Sequence, residues 1–432
     1  MDNTTPQQIF SLRSHENSIS NIEEVFLWNK HCLISSDTKG WIIIWNINAK
    51  RPIRKWQAHD ETILTLTLIS TNTLLTHGRD ASLKIWDISV EHAESSPPEL
   101  FFLPINTLNF CNVQYFNDFL ITPASVDSNN FDIYKITNPE YEFKRVLANF
   151  SPFDLYSKNK TEINSPNEQG RNDFGIIMKL VYVEHSNQLF LGFESGQIIG
   201  LNINLNPDAT LVDKTTEAYS KKTPSKYGGL SSLIDKTSSR TLINKEPRVN
   251  LIYSDSSHIP NPITSLVHLK DNILISGSTN KQVIVHHYQM HSIDSSDAHL
   301  DVKKVAHSGI QSIVADEKTD TIFIGHWNGV IEGVDYKSNK KKLDSQFELK
   351  RDLPHLITTS TNSSGGDTNT IAKEAVKLTS LALLIERENT QVTTTKKKSY
   401  KDLVKARSAY IGNDNRLLFA GYEDGAVVAY RL

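Results

Sequence analysis

The chain has 432 residues, enough for about two or three ordinary domains or for one large repeat architecture. With 38% hydrophobic and 22% charged residues and a formal net charge of -3, the composition is that of a soluble protein, with no basic excess for nonspecific nucleic-acid binding. No apolar run reaches membrane-spanning length, the opening MDNTTPQQIF lacks the regions of a signal peptide, and Cys32 and Cys111 are too few for a disulfide framework or a thiolate metal site, so an intracellular, reducing compartment is expected.

Gln7 to Arg13 (QQIFSLR) alternates and comes before any repeat, which makes it the expected outer strand that closes a ring of blades. The first repeat runs from Ser14-His15 to Trp45-Asn46 through LISSDTKGWIIIWN, with Pro52 to Ala58 as its outer strand. It has His15, Ser35 and Trp45, but Lys39 stands where the next repeat has Asp80, so its polar network is expected to be incomplete or water-mediated. The second repeat, Ala58-His59 through Trp86-Asp87, is the complete copy. It begins AHDETILTLTLI, turns, and resumes as LLTHGRDASLKIWD. Ile63, Leu66, Leu68, Leu83 and Ile85 alternate as in strands with one buried face. The spacing from His59 to Trp86-Asp87 is that of a WD40 repeat, one four-stranded blade of a β-propeller. Buried His, Thr, Asp and Trp are tolerable only when each polar atom finds a partner. His59, Thr76, Asp80 and Trp86 are therefore expected to satisfy one another in a chain, and blade two to hold the one complete set.

After blade two the repeat decays while its frame survives. FLITPASVDSNNFDIYKI puts Tyr134 at the Trp position of blade three, and ILISGSTNKQVIVHH puts Ser276, Asn280 and His286 at the polar positions of blade five. LFLGFESGQIIGL, IFIGHWNGVIEGV and LFAGYEDGAVVAY share a tight turn with a glycine four residues after the first one, where positive φ is easily adopted. Ser195, Asn328 and Asp424 sit at the Asp80 position of these three units. The expected fold is thus all-β, a seven-bladed WD40-type β-propeller in one domain. Its blades are read at residues 14–58, 59–105, 106–150, 174–255, 262–305, 306–350 and 375–432, with 7–13 as the closing strand. Polar, low-complexity stretches at 204–245, 358–370 and 388–401 are loop insertions too poor in apolar residues to fold alone, and are expected to be disordered.

No phosphate-binding loop, HExxH pair, GxSxG elbow or dinucleotide fingerprint appears, so neither a catalytic set nor a cofactor is expected. GFESGQIIG is glycine-rich but sits at a β turn rather than before a helix. His286 and His287 are neighbours on a strand and point to opposite faces, which does not favour a shared metal. Lys340 to Lys342 and Lys396 to Lys398 are read as solvated runs, with nuclear import as the alternative.

Gly40-Trp41, Arg51-Pro52, Trp56, Ala58-His59 and THGRD (Thr76 to Asp80), with the closing GYEDGAVVAYRL, resemble the ASTRA-associated protein 1 family, fungal relatives of G-protein-β-like WD proteins. These regions cover under a quarter of the chain. The resemblance implies a non-enzymatic subunit of the ASTRA assembly, nuclear with the cytoplasm as a second compartment, present as one copy in a hetero-complex. The implied partners are proteins: a large kinase-like scaffold, RuvB-type AAA+ ATPases, and the helical-repeat cochaperone that matures phosphatidylinositol-3-kinase-like kinases. Neither nucleic acid nor membrane is an expected direct partner. A ubiquitin-ligase substrate receptor is the alternative, although no separate helical docking domain is apparent. Binding on propellers lives on the loops, and a turn-held arginine is a frequent hot spot, so Arg79 is the partner-binding candidate; a local pair with Asp60 or Glu61 is its competing role.

Overall fold

The protein is described from a computed structural model that covers residues 6–92, 95–106, 110–137, 141–160, 173–205, 248–289, 299–338, 346–351, 376–385 and 416–432. The insertions read at 358–370 and 388–401, nearly all of 204–245, and both lysine runs lie outside the described residues.

The strands form seven four-stranded antiparallel sheets. In six of them the four strands pair in chain order, the simplest path for a sequence in which short strands alternate with tight turns. Blade one is Ile19–Leu27, Lys30–Asp37, Trp41–Asn46 and Arg51–Gln57; blade two is Ile63–Ser70, Thr73–Gly78, Ser82–Asp87 and Glu99–Pro104. The seventh sheet is built from both ends of the chain. Gln7–Arg13 pairs antiparallel with Ala426–Arg431, from Gln7 opposite Arg431 to Arg13 opposite Ala426. This pairing is the ring closure.

The first strand of every blade touches the first strands of both neighbours, so seven sheets close into a propeller around these inner strands. The apolar core is correspondingly divided. Among the described residues it forms seven clusters, one in each gap between adjacent blades. The gap between blades one and two holds Ile34, Ile44, Trp56, Ile63, Leu74 and Trp86, all at most 5% exposed. Both faces of each sheet are thereby buried, which explains runs such as Trp41–Asn46 (WIIIWN) that do not alternate.

Six inner strands carry a bulge at the same place, between Ile19 and Asn21, Ile63 and Thr65, Ile177 and Lys179, Ile263 and Ser265, Ile310 and Ser312, and Leu378 and Ser380. A bulge re-aims the side chain that follows it. Several of these side chains reach the next blade. Thr65 Oγ1 accepts from the Val113 amide at 3.0 Å, Ser265 Oγ from the Ile313 amide at 2.9 Å, and Asn21 donates to the Leu64 carbonyl at 3.1 Å. Blade three makes the same link through Asn112, which bonds both the carbonyl and the amide of Leu180 at 2.9 and 3.1 Å. These links fasten the centre of the ring.

The turn glycines behave as their spacing predicts: Gly196, Gly329 and Gly425 have φ of +92°, +82° and +76°. The first glycine of each unit has another cause. A Cβ on Gly192 or Gly421 would come within 2.5 Å of Ile263 or Ile19 of the adjoining blade, so it is the closeness of the blades that demands glycine there. One helix was not expected, Pro152–Lys160, between blades three and four. Its signals are present in the sequence: Ser151 Oγ accepts from the Asp154 amide at 3.1 Å, proline opens the helix, and Asp154 lies in its first turn.

Candidate functional site

In each antiparallel blade, the loop entering the inner strand and the turn joining the second and third strands lie at the same end. These segments together make one face of the ring, and buried polar networks anchor them. In blade two His59 arrives from the entering loop and Asp80 from the turn. His59 Nδ1 lies 3.0 Å from both Asp80 oxygens and its Nε2 lies 2.7 Å from Thr76 Oγ1, to which Trp86 Nε1 donates at 2.9 Å. Since Asp80 can only accept, the His59 Nδ1–H must donate to it, and the Thr76 hydroxyl donates to Nε2 while accepting from the indole. Burial pushes the Asp80 carboxyl up, but hydrogen bonds from His59 and Ser82 outweigh it and hold the carboxyl well below the usual carboxylate range. The entering loop and the turn are thus clamped together through buried groups.

Blade one corrects the expectation of an incomplete network. Lys39 is exposed and takes no part; the acid comes from Asp37, two residues earlier. Asp37 Oδ2 lies 2.9 Å from His15 Nδ1, Ser35 Oγ lies 2.8 Å from His15 Nε2, and Trp45 Nε1 donates to Ser35 at 2.7 Å. Asp37 Oδ1 also accepts from the amides of Lys39 and Trp41. Blade two is therefore not the one complete set. The two positions exclude each other sterically: Gly78 holds the Asp37 position in blade two, where a Cβ would fall 2.5 Å from His59 Nδ1.

The other blades solve the same problem with different residues. In blade five Ser276 Oγ lies 2.7 Å from both His258 Nε2 and His286 Nε2, and Tyr253 OH lies 2.8 Å from His286 Nδ1. Asn280 does not join; its Oδ1 accepts from Ser278 and from the Gln282 amide. Burial pushes the His258 and His286 imidazoles down to about 4 and about 3, so both stay neutral. In blade six Asn328 reaches only His307, at 3.2 Å, and its neighbour Val330. The buried acid there is Glu332, 3.1 Å from His326 and accepting from the amides of Ala306 and His307. In blade seven Asp424 receives both terminal nitrogens of Arg351 at 2.7 and 2.8 Å. In blade four Ser195 accepts from the Gln197 amide at 3.3 Å. In blade three Tyr134 OH donates to Asp132 at 3.2 Å and accepts from Arg145 at 3.1 Å. His258 and His307 each precede an inner strand as His59 does, a signal that the sequence reading passed over.

Arg79 stands on this face at the blade-two turn. Its amide donates to the Thr62 carbonyl at 2.9 Å, and its guanidinium carbon lies 4.2 Å from the centre of the Phe110 ring. Among the described residues it makes no ion pair with Asp60 or Glu61; it is held by the aromatic ring. Phe110 (47% exposed) belongs to the loop entering blade three, and Trp327 (42% exposed) occupies in blade six the turn position that Arg79 has in blade two. Val126 and Ile259 are exposed on the same set of loops and turns. The face therefore offers a rigid arginine and scattered large apolar side chains, which suits recognition of a protein surface. Among the described residues no three His, Cys, Asp or Glu side chains are grouped to hold a metal ion. Cys32 and Cys111 are both buried and free.

The comparison with known proteins agrees with the residues that suggested a family. A family model described as ASTRA-associated protein 1 matches residues 8–430, from the closing strand to the last strand of the chain, with which it pairs. The chain belongs to the ASTRA-associated protein 1 family. It is 33% identical to the ASTRA-associated protein 1 of Debaryomyces hansenii, with 99% of this chain and 100% of the relative covered. It is 35% identical to that of Candida albicans strain WO-1, over 98% and 99% of the two chains, and 26% identical to that of Clavispora lusitaniae, over 99% and 97%. The match spans the whole ring rather than a single blade.

Proposed function

We propose that this chain is a non-enzymatic scaffold subunit of an ASTRA assembly in the nucleus, linked to chromatin remodelling. It docks through the face carrying Arg79 onto the helical-repeat cochaperone that matures phosphatidylinositol-3-kinase-like kinases, alongside RuvB-type AAA+ ATPases and a kinase-like scaffold. The observation that carries this reading is the family match over residues 8–430, with relatives named for association with ASTRA. The build of the face supports it. Loops clamped by buried networks are already ordered before binding, which avoids much of the entropic cost of association. An arginine stacked on an aromatic ring keeps its donors in a planar fork that can pair with a partner carboxylate.

The test is a pull-down from purified components with the wild type, Arg79→Ala and a deletion of residues 388–401. Wild type is expected to retain a cochaperone subunit at micromolar concentration, and Arg79→Ala to retain at least about tenfold less, the loss expected of a hot spot of 1.4 kcal/mol or more. No retention by wild type overturns the partner. Normal binding by Arg79→Ala with loss in the deletion keeps the partner and overturns the face. A fluorescent fusion excluded from the nucleus overturns the compartment.

A further inference from the structure

One position on the second strand of each blade faces the start of the next blade's inner strand. In blades four to seven it is glycine, and a Cβ on Gly192, Gly277, Gly325 or Gly421 would come 2.5 to 2.7 Å from Ile263, Ile310, Leu378 or Ile19. In blades one and three it is the small Ser36 or Pro123, matched by Ile63 and Ile177. All six of these isoleucines and leucine are at most 1% exposed. Blade two has His77 at this position, opposite Thr65 as Gly277 is opposite Ser265. The matching residue of blade three is Phe110, two before Asn112 as Ile263 is two before Ser265, and it is 47% exposed. A gap packed for a small residue and one aliphatic side chain does not hold an imidazole and a phenyl ring together. Phe110 stands outside it.

His77 is itself 1% exposed, and its Nδ1 has no hydrogen-bond partner. Burial pushes its imidazole down to about 3, so it is neutral. A buried polar atom left unpaired is rare and costly, and His77 takes no part in the His59 network on the other side of its strand. Its consequence lies two residues on. Arg79 has a buried Nε with no partner, and its guanidinium carbon lies 4.2 Å from the centre of the Phe110 ring. The other arginines at the turns are already occupied: Arg351 gives both terminal nitrogens to Asp424, and Arg145 donates to Tyr134 and Ser125. Among the described residues no carboxylate pairs with Arg79, so its charge is uncompensated.

We propose that His77 is the positioning residue of this face. By filling the space that a small residue leaves in the other blades, it holds Phe110 out of the gap and under Arg79, which presents an unpaired guanidinium to a carboxylate of the partner protein. The ring fixes the plane of the guanidinium, and the fork of donors that remains matches the two oxygens of a carboxylate. A neutral histidine does this without adding a second positive charge beside the arginine. The inference rests on the reading of the Arg79 face as the docking face.

Two measurements on the full chain test it, and the first needs no partner. Hydroxyl-radical footprinting read by mass spectrometry compares Phe110 with Phe26, an exposed phenylalanine away from this gap. In the wild type both rings should be oxidised at similar rates. In His77→Gly, Phe110 should be protected severalfold while Phe26 is unchanged. His77→Ser, which copies the residue of blade one, reads the same should the glycine variant not fold. Phe110 oxidised equally in the wild type and these variants would overturn the positioning role. The second measurement is retention of the purified cochaperone. His77→Gly and Arg79→Gln should each weaken it by at least about tenfold, and His77→Asn, neutral and of similar width, should restore most of it. Wild-type retention by His77→Gly with Phe110 protected would overturn the presentation of Arg79, and wild-type retention by Arg79→Gln would overturn the carboxylate. A wild type that retains no subunit overturns the docking reading instead, and the footprint still decides what His77 does to Phe110.

Discussion

At the scale of single residues, the networks behind the binding face differ in how much each atom carries. Asp80 holds His59 through both oxygens and also accepts from Ser82 and the Asp60 amide, so Asp80→Ala leaves a buried donor poorly paired and should cost roughly 1–3 kcal/mol. Asp37→Ala should cost a similar amount, because Asp37 serves His15 and two backbone amides. Asn328→Ala should cost clearly less, since Asn328 has one exposed contact to His307 and one turn contact. Chemical denaturation of the three variants checks the order; equal losses would refute it. Ala81 gives a second prediction at this scale. It sits at φ +65°, in the turn position where four other blades have a glycine of positive φ: Gly40, Gly196, Gly329 and Gly425. Left-handed backbone costs an alanine about 1–2 kcal/mol, part of which glycine returns as unfolded-chain entropy. Ala81→Gly should therefore raise stability by roughly 0.5–1 kcal/mol, and a lower unfolding midpoint would contradict the argument.

At the scale of elements, ring closure rests on Gln7–Arg13. That strand buries Leu12, packs Ile9 and Phe10 on the core between blades seven and one, and covers the free edge of Ala426–Arg431. Without it blade seven is a three-stranded sheet with an apolar edge, a template for aggregation. Deleting residues 1–13 should give insoluble or rapidly proteolysed protein, assayed by soluble yield and limited trypsin digestion. A soluble deletion with the wild-type melting temperature would show that closure lies elsewhere. This segment was legible in the sequence because it alternates and has no repeat of its own to join. The helix Pro152–Lys160 is equally legible from its capping Ser151 and opening proline, local signals that lie outside the blade repeat.

At the scale of the whole molecule, the buried histidines couple stability to pH. His77, His258 and His286 are buried, and burial pushes their imidazoles down to about 3, about 4 and about 3. In the unfolded chain these groups titrate near 6.5, so between about 4 and 6.5 the unfolded state binds more protons than the folded one. Their contribution is fully present above pH 6.5 and is lost as pH falls toward 4. Glu23 acts in the opposite direction. Burial, and then the nearby Glu24, push its carboxyl up to about 8, which favours the folded state at lower pH. Three histidines outweigh one carboxyl, so the melting temperature should fall from pH 7 to pH 5, measured by scanning calorimetry in low-salt buffers. A flat or rising profile would mean that these imidazoles are hydrated or already paired in their charged form.

The sequence by itself determined the all-β class, the sevenfold repeat, the family and the identities of His59, Thr76, Asp80 and Trp86. All of these are written in local patterns: alternation along a strand, glycine at a turn, and a fixed offset from a histidine to a tryptophan. Only the tertiary structure decided which acid completes each network. Asp37 replaces the Lys39 position in blade one, Glu332 serves blade six from a strand rather than a turn, and Arg351 reaches Asp424 from another loop. Whether a carboxylate meets a histidine depends on backbone path and side-chain reach, and a shift of two residues along a turn is compensated by a glycine such as Gly78. The stacking of Arg79 on Phe110 was likewise not legible, because it depends on how one blade leans against the next.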